Sequence, residues 1–437
     1  MNDRQTHRLG STLLVGYGAG AFGALLGFAL VPLLLLYYLT EVAGLPPVWA
    51  GVVLAVPKIS DLLLDPWLGR KTDAFASANR GRASVLLFSA VVLPLLLVLL
   101  FIPLHALPLA ARAVVFAILL TTQSLLTTVF AVAHTALAGD IAPTLGARGT
   151  LISARSFGAT TAGLVVAGVA PALVSRFGNA QPGYLGMGAV LAVASMLFLL
   201  LSWLTCRGTP MREGTGDVAA KTKRLIPALR ATLQNRAFYV VAAMLVLIGI
   251  GSGSLVALMP YVNQYLLQRT PAELPALMLP VFFVLLAGVL VAPWLLKKAG
   301  PGNALLFSLV IALAGIVVLA GGPRRDISMA IGAGLFGLGA GLLTVLILTL
   351  ATETATRSQA AGESLGLYLG VLFSAEKMGA SISVLLTGFG LDWVGVRAGN
   401  APGPTKLGAL WLWLPLGALL ACFALLAMQR RAIFSLR

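Results

Sequence analysis

Charge is what this sequence has least of. Only 10% of its 437 residues are Asp, Glu, Lys or Arg, against about 25% in an ordinary soluble domain. Acids are scarcer than bases, 14 against 30. A soluble chain of this length would form two or three domains, each needing a polar coat, and these side chains are too few to supply one. Two cysteines, Cys206 and Cys422, cannot provide a disulfide framework. The three histidines, His7, His105 and His134, lack metal-ligand spacing. No nucleophile–base or metal-ligand cluster appears, which excludes an enzyme, and there is no Asn-x-Ser/Thr sequon.

What fills the chain instead is apolar: 59% of residues are hydrophobic and the mean hydropathy is +0.97. Lipid is the solvent this composition requires. Runs long enough to span a bilayer fall at about 11–39, 47–69, 83–104, 109–138, 150–175 and 183–206, then at 237–267, 275–296, 303–322, 327–352, 363–390 and 407–429. The run after Arg4 and Arg8 is too long for a signal-peptide core and reads as an uncleaved first helix. The expected fold is all-α and polytopic, with 12 transmembrane helices in two pseudo-symmetric six-helix bundles. Residues 1–206 form the first bundle, 207–236 a central cytoplasmic loop and 237–437 the second bundle.

The loop carries seven cations, with Leu225, Ile226, Leu229 and Leu233 at helical spacing among them. That pattern fits either a helix on an anionic membrane surface or a solvated linker. The net charge of +16 would point to nucleic acid in a soluble protein. Here the charges sit in short connectors, so nucleic acid is excluded as a partner. With the N-terminus inside, 20 Lys and Arg fall in inner segments, 7 in outer ones and 3 within spans. The positive-inside rule therefore places both termini in the cytoplasm and the chain in a plasma (inner) membrane as a multi-pass protein. A monomer is expected, with the bilayer and a small-molecule or amphiphilic substrate as partners and no cofactor.

The halves echo each other. The first run of each opens glycine-rich (Gly16, Gly18, Gly20; Gly249, Gly251, Gly253), passes a proline (Pro32; Pro260) and ends near tyrosines. Gly18-Ala-Gly20-Ala-Phe-Gly23 and Gly332-Ala-Gly334-Leu-Phe-Gly337 match a dinucleotide fingerprint, but no strand precedes either. Small residues at this spacing let membrane helices approach closely.

Chemistry concentrates at charges inside apolar runs, each of which costs roughly 2.5–3.5 kcal/mol on insertion scales. The second run holds Lys58, Asp61 and Asp65 before Pro66. At helical spacing these side chains share an arc of about 60°. Two carboxylates one turn apart bind a proton or invite a cation such as Na⁺. Ser60 and the hydroxyls of Ser124, Thr127 and Thr128 on the fourth run are candidate further oxygens. A structural Lys58–Asp salt bridge is the competing reading. Glu376 and Lys377 interrupt the eleventh run, and adjacent positions point about 100° apart. Lys377 either answers the carboxylates of the second run or binds substrate. Arg155 projects into a cavity or snorkels to the inner surface.

These residues resemble the glycoside–pentoside–hexuronide:cation symporters, the melibiose-permease branch of the major facilitator superfamily. The likeness rests on Lys58-Ile-Ser-Asp61-Leu-Leu-Leu-Asp65-Pro66-Trp-Leu-Gly69, on Asp73 with Arg80-Gly81-Arg82, on Ala136-Leu-Ala-Gly-Asp140 with Arg148 and Arg155, and on Gly362-Glu363 through Lys377-Met-Gly379. The resemblance implies alternating access and symport coupled to Na⁺, Li⁺ or H⁺. It puts the cation site at Asp61 and Asp65, with Ser124 near the family's helix IV hydroxyl and Lys377 close by. From the residues themselves, Thr127 joins the cation candidates, and Lys377, Lys58, Glu376 and Arg155 are the substrate or coupling candidates, Glu376 without a firm role. The resemblance also implies an inner-gate loop with Gly69, Asp73, Arg80 and Arg82.

Melibiose-type members place one sugar-binding carboxylate in the first helix, where this chain reads Gly23-Ala24-Leu25-Leu26-Gly27, and another near Thr127. The substrate is therefore expected to be glycoside-like or amphiphilic, a lysolipid for example. A proton-coupled drug or metabolite exporter and a non-transporting scaffold or sensor are the alternatives.

Overall fold

A computed structural model describes residues 10–78, 81–142, 145–178, 180–208, 236–321, 326–360, 365–396 and 403–428. Among the described residues there are twelve α-helices and no strand. The first six are α1 Ser11–Leu30, α2 Pro47–Ala78, α3 Ala83–Leu99, α4 Leu109–Ile141, α5 Leu145–Phe177 and α6 Gln181–Cys206. The second six are α7 Arg236–Tyr261, α8 Pro275–Ala299, α9 Pro301–Gly321, α10 Asp326–Ala360, α11 Leu365–Val394 and α12 Pro404–Met428. Helices are what lipid permits, because each satisfies its own backbone hydrogen bonds without water. By length and composition, nine spans among the described residues can cross a membrane, and α3 is a shorter apolar helix. The charged helices α2 and α11 are not among the nine.

The chain forms a multi-pass membrane protein of two compact units. One contains Met1–Val31 and Ser60–Lys221; the other contains Pro32–Ile59 and Thr222–Arg437. Residues 32–59 thus cluster with the later half of the sequence, so α2 passes from one unit to the other between Ile59 and Ser60. The proposed surface helix of residues 207–236 lies almost wholly outside the described residues.

In the first unit a buried cluster joins Tyr17 and Ala24 of α1, Leu86, Ala90 and Leu93 of α3, Phe130 and Leu137 of α4, Leu151 of α5 and Leu199 of α6. Close crossing of α1 and α5 needs bare Cα atoms: a Cβ on Gly158 would lie 2.1 Å from the Gly18 carbonyl oxygen. The first glycine fingerprint therefore serves helix contact. The second does the same in the other unit, where a Cβ on Gly337 would meet the Val281 carbonyl oxygen of α8 at 2.3 Å. Side chains such as Val15, Ile118, Leu290 and Val317 are more than half exposed, as a lipid-facing surface requires.

The echo between the two halves has a structural counterpart. Beyond α1 the chain winds into π-helical turns at Val31–Leu35 and Tyr38–Val42, and beyond α7 into one at Val262–Leu266. Pro32 and Pro260 lie at or beside these transitions, where a missing N–H disturbs the regular ladder. In the second unit these turns touch. Thr40 Oγ1 and the Tyr261 hydroxyl lie 2.6 Å apart, the Tyr265 hydroxyl donates to Glu41 Oε2 at 2.5 Å, and the rings of Tyr37 and Tyr261 meet edge-on.

Candidate functional site

In the first unit, Asp61 of α2 is 2% exposed and accepts a hydrogen bond from Ser124 Oγ of α4 at 2.8 Å. A carboxylate withdrawn from water this far needs oriented partners, and the hydroxyl donor is one of them. Thr127 follows Ser124 by three positions on the same helix face and is also buried. Its hydroxyl donates to the Gln123 carbonyl at 2.8 Å, and a cation would meet its oxygen lone pairs. The side chains of Asp65 and Asp73 lie outside the described residues, as do the surroundings of Gly69 and the whole of Arg80.

Arg82 stands in the turn between α2 and α3 and is buried. It is 2% exposed, and its Nη1 pairs with Asp140 Oδ2 of α4 at 2.5 Å. The pair fastens the start of α3 to the end of α4. Arg155 of α5 lies half-buried inside the same unit, where its charge acts on Tyr17 and His134. Tyr17 and His134 are both fully buried, stack at 4.0 Å between ring centroids, and are joined by a bond from the Tyr17 hydroxyl to the His134 carbonyl. Phe130 extends the stack.

The second unit gathers the remaining intramembrane charges. A Cβ on Gly388 of α11 would lie 2.6 Å from the Pro47 carbonyl oxygen and 3.1 Å from the Gly51 Cα, so α2 and α11 cross backbone to backbone. Gly51 in turn faces Val384 and Leu385. The residue numbers run in opposite senses, and continuing this register carries Lys58 toward the Glu376–Lys377 end of α11. Glu376 does lie within the fields of both Lys58 and Lys377. It is exposed, whereas the two lysines are half-buried. Lys58, Asp61 and Asp65 share one face of the continuous helix α2.

Sequence reasoning proposed Asp61 with Ser124, and these two meet. It left Glu376 without a firm role, and the register of α2 on α11 supplies its neighbour. It missed three features. The Arg82–Asp140 pair joins residues 58 positions apart. The Tyr17–His134 stack spans 117 positions. The third is Gln123, a buried amide beside Ser124 whose Nε2 would lie 2.5 Å from a Cβ on Gly27 of α1. Of these, only the polar residues within apolar runs could have flagged Gln123 and His134; nothing local marks their partners.

The profile of the family described as MFS/sugar transport protein matches residues 16–434. The isoprimeverose transporter of Lactiplantibacillus pentosus is 23% identical over 429 residues, covering 94% of this chain and 87% of that protein. The putative glycoside/cation symporter YagG of Escherichia coli (strain K12) is 28% identical over 199 residues, 44% of this chain and 42% of that one. Among solved structures, the nucleoside transporter NupG superposes with a TM-score of 0.72 at 13% identity, covering 96% of this chain and 99% of that one. This last likeness concerns the fold alone.

Proposed function

Since this chain belongs to the MFS/sugar transport protein family and is a transporter rather than an enzyme, we propose that it carries out cation-coupled symport of a small organic solute by alternating access. The observation that carries this reading is Asp61. A carboxylate that is 2% exposed inside an apolar helix, held by Ser124, is costly to keep unless it binds something. Asp61 and Asp65, with the oxygens of Ser124 and Thr127, are the groups to hold Na⁺ or a proton. Hard cations take oxygen ligands, and two nearby carboxylates retain a proton more tightly than one.

Lys377, Lys58, Glu376 and Arg155 are the charges available to feel the cation or meet the solute. Arg155 can do so by hydrogen bonding as well as by charge, since its guanidinium carries five donors. Gly69, Asp73, Arg80 and Arg82 form the cytoplasmic latch in this reading, and the buried Arg82–Asp140 pair supports Arg82 as its anchor. In this reading the two sequence halves are residues 1–206 and 237–437, joined by 207–236, with both termini cytoplasmic and the inner membrane as location.

The glycoside reading of the substrate is supported by the names of the relatives. An amphiphile is favoured by a different observation, the absence of carboxylates from Gly23-Ala24-Leu25-Leu26-Gly27, because each buried sugar hydroxyl needs a partner. Uptake by proteoliposomes under imposed Na⁺ or H⁺ gradients, across a panel of glycosides and lysolipids, decides both matters. Gradient-driven uptake of one solute class is expected, with Asp61→Asn and Asp65→Asn each abolishing cation dependence. Uptake by either variant with unchanged ion dependence refutes the coupling assignment.

A further inference from the structure

The end of α8 presents an arrangement outside the coupling residues proposed above. Phe283, Ala287, Leu290, Val291 and Trp294 are exposed and recur on one face of the helix, with Phe283 57%, Leu290 73% and Trp294 58% exposed. Their offsets of 0, 4, 7, 8 and 11 fall within an arc of about 100°. The stripe runs into Lys298, whose ammonium sits over the Trp294 ring at 5.0 Å from its centroid. Lys297 precedes it, and both lysines are exposed.

Neither α8 nor α9 contains a single Asp or Glu. Neither lysine has a carboxylate partner among the described residues. Among the described residues, two cations without an acidic neighbour therefore stand at the polar end of an apolar, lipid-facing track. Trp294, about one turn before the lysines, sits where an indole favours the boundary of hydrocarbon and headgroup.

We infer that this face of α8 is a binding site for an anionic phospholipid, with an acyl chain along Leu290–Trp294 and the phosphate at Lys297 and Lys298. Charge complementarity selects the headgroup: a zwitterionic lipid brings its own cation to the same place, and an anionic one does not. From Leu290 to Lys298 the helix rises about 12 Å, close to the hydrocarbon depth of one leaflet. One lipid can therefore touch both ends of the track.

The first unit repeats the device. On α6 the exposed Val193, Leu197, Leu201 and Leu204 lead to Arg207, whose guanidinium lies 5.6 Å from the Trp203 ring, and α6 is also free of acids. Both helix ends belong to segments that the Lys and Arg count assigns to the cytoplasm, the side on which cells display anionic lipid.

The test uses the purified full-length protein and native mass spectrometry with phosphatidylglycerol and phosphatidylcholine of matched acyl chains. The wild type is expected to retain phosphatidylglycerol preferentially. Each lysine near an anionic headgroup contributes roughly a fivefold preference, so K297Q/K298Q should lower the ratio by about 25-fold. K297R/K298R should keep most of it, and K406Q, an exposed cation on another helix, should leave it unchanged. Equal retention of the two lipids by the wild type overturns the site. So does an unchanged ratio in K297Q/K298Q, or loss of the preference in K406Q. Displacement of the bound lipid by millimolar inorganic phosphate would show a free-anion site and overturn it too.

Discussion

Asp140→Asn removes the charge of one buried ion pair and almost none of its volume. Arg82 and Asp140 are 2% and 1% exposed, and their charged atoms are 2.5 Å apart. At an effective dielectric of 20 that separation corresponds to roughly 6–7 kcal/mol of attraction, much of it offset by the cost of taking both charges out of water. Neutralising the acid alone keeps the desolvation cost of the guanidinium and removes its compensation, which costs about 3–5 kcal/mol. In a cooperative unit of this size each kcal/mol lowers the midpoint by about 2–4 °C. Asp140→Asn should therefore unfold roughly 6–20 °C below the wild type.

Tryptophan fluorescence during a thermal ramp of the purified protein reads this, with Trp203 at the end of α6 as a reporter in the first unit. The paired variant Arg82→Met with Asp140→Leu removes both charges and should recover most of the loss, since apolar replacements of buried ion pairs are often neutral or stabilising. A midpoint for Asp140→Asn within about 2 °C of the wild type, or a paired variant no better than the single one, refutes the reasoning.

Ser124→Ala deletes the donor to Asp61, worth about 1.5–3 kcal/mol for a charged acceptor. It should raise the cation concentration for half-maximal uptake roughly 10- to 100-fold at an unchanged expression level, and an unchanged value refutes the assignment. Gly158→Leu places a side chain where a Cβ already comes within 2.1 Å of the Gly18 carbonyl oxygen; the variant should fail to yield a monodisperse peak on size exclusion, whereas Gly163→Ala, with nothing within 4 Å of its Cβ position, should behave as wild type. Tyr265→Phe removes the hydroxyl that reaches Glu41 and should lower thermal stability by an amount corresponding to roughly 1–3 kcal/mol. Glu41→Gln in the Tyr265→Phe background should then add little, and full additivity of the two changes would show that the bond does not form.

Lipid as solvent, the helical fold, the run positions and the intramembrane charges were all legible in the sequence. They follow from local rules: an apolar run of about 20 residues needs no partner to be recognised, and a charge within it is conspicuous because it is expensive. The glycine fingerprints were also correctly read as helix contacts, because their setting has no strand. What the sequence could not provide was which charge faces which. Lys58, Asp61 and Asp65 look like one constellation along α2, because helical periodicity puts them on one face. The tertiary structure adds Ser124 as a donor to Asp61 and brings Glu376 within the fields of Lys58 and Lys377. Arg82 stands in the turn before α3, and nothing local in the sequence marks Asp140 as its partner. Periodicity reports direction around one helix axis; pairing depends on crossings between helices distant in sequence, and only packing sets those.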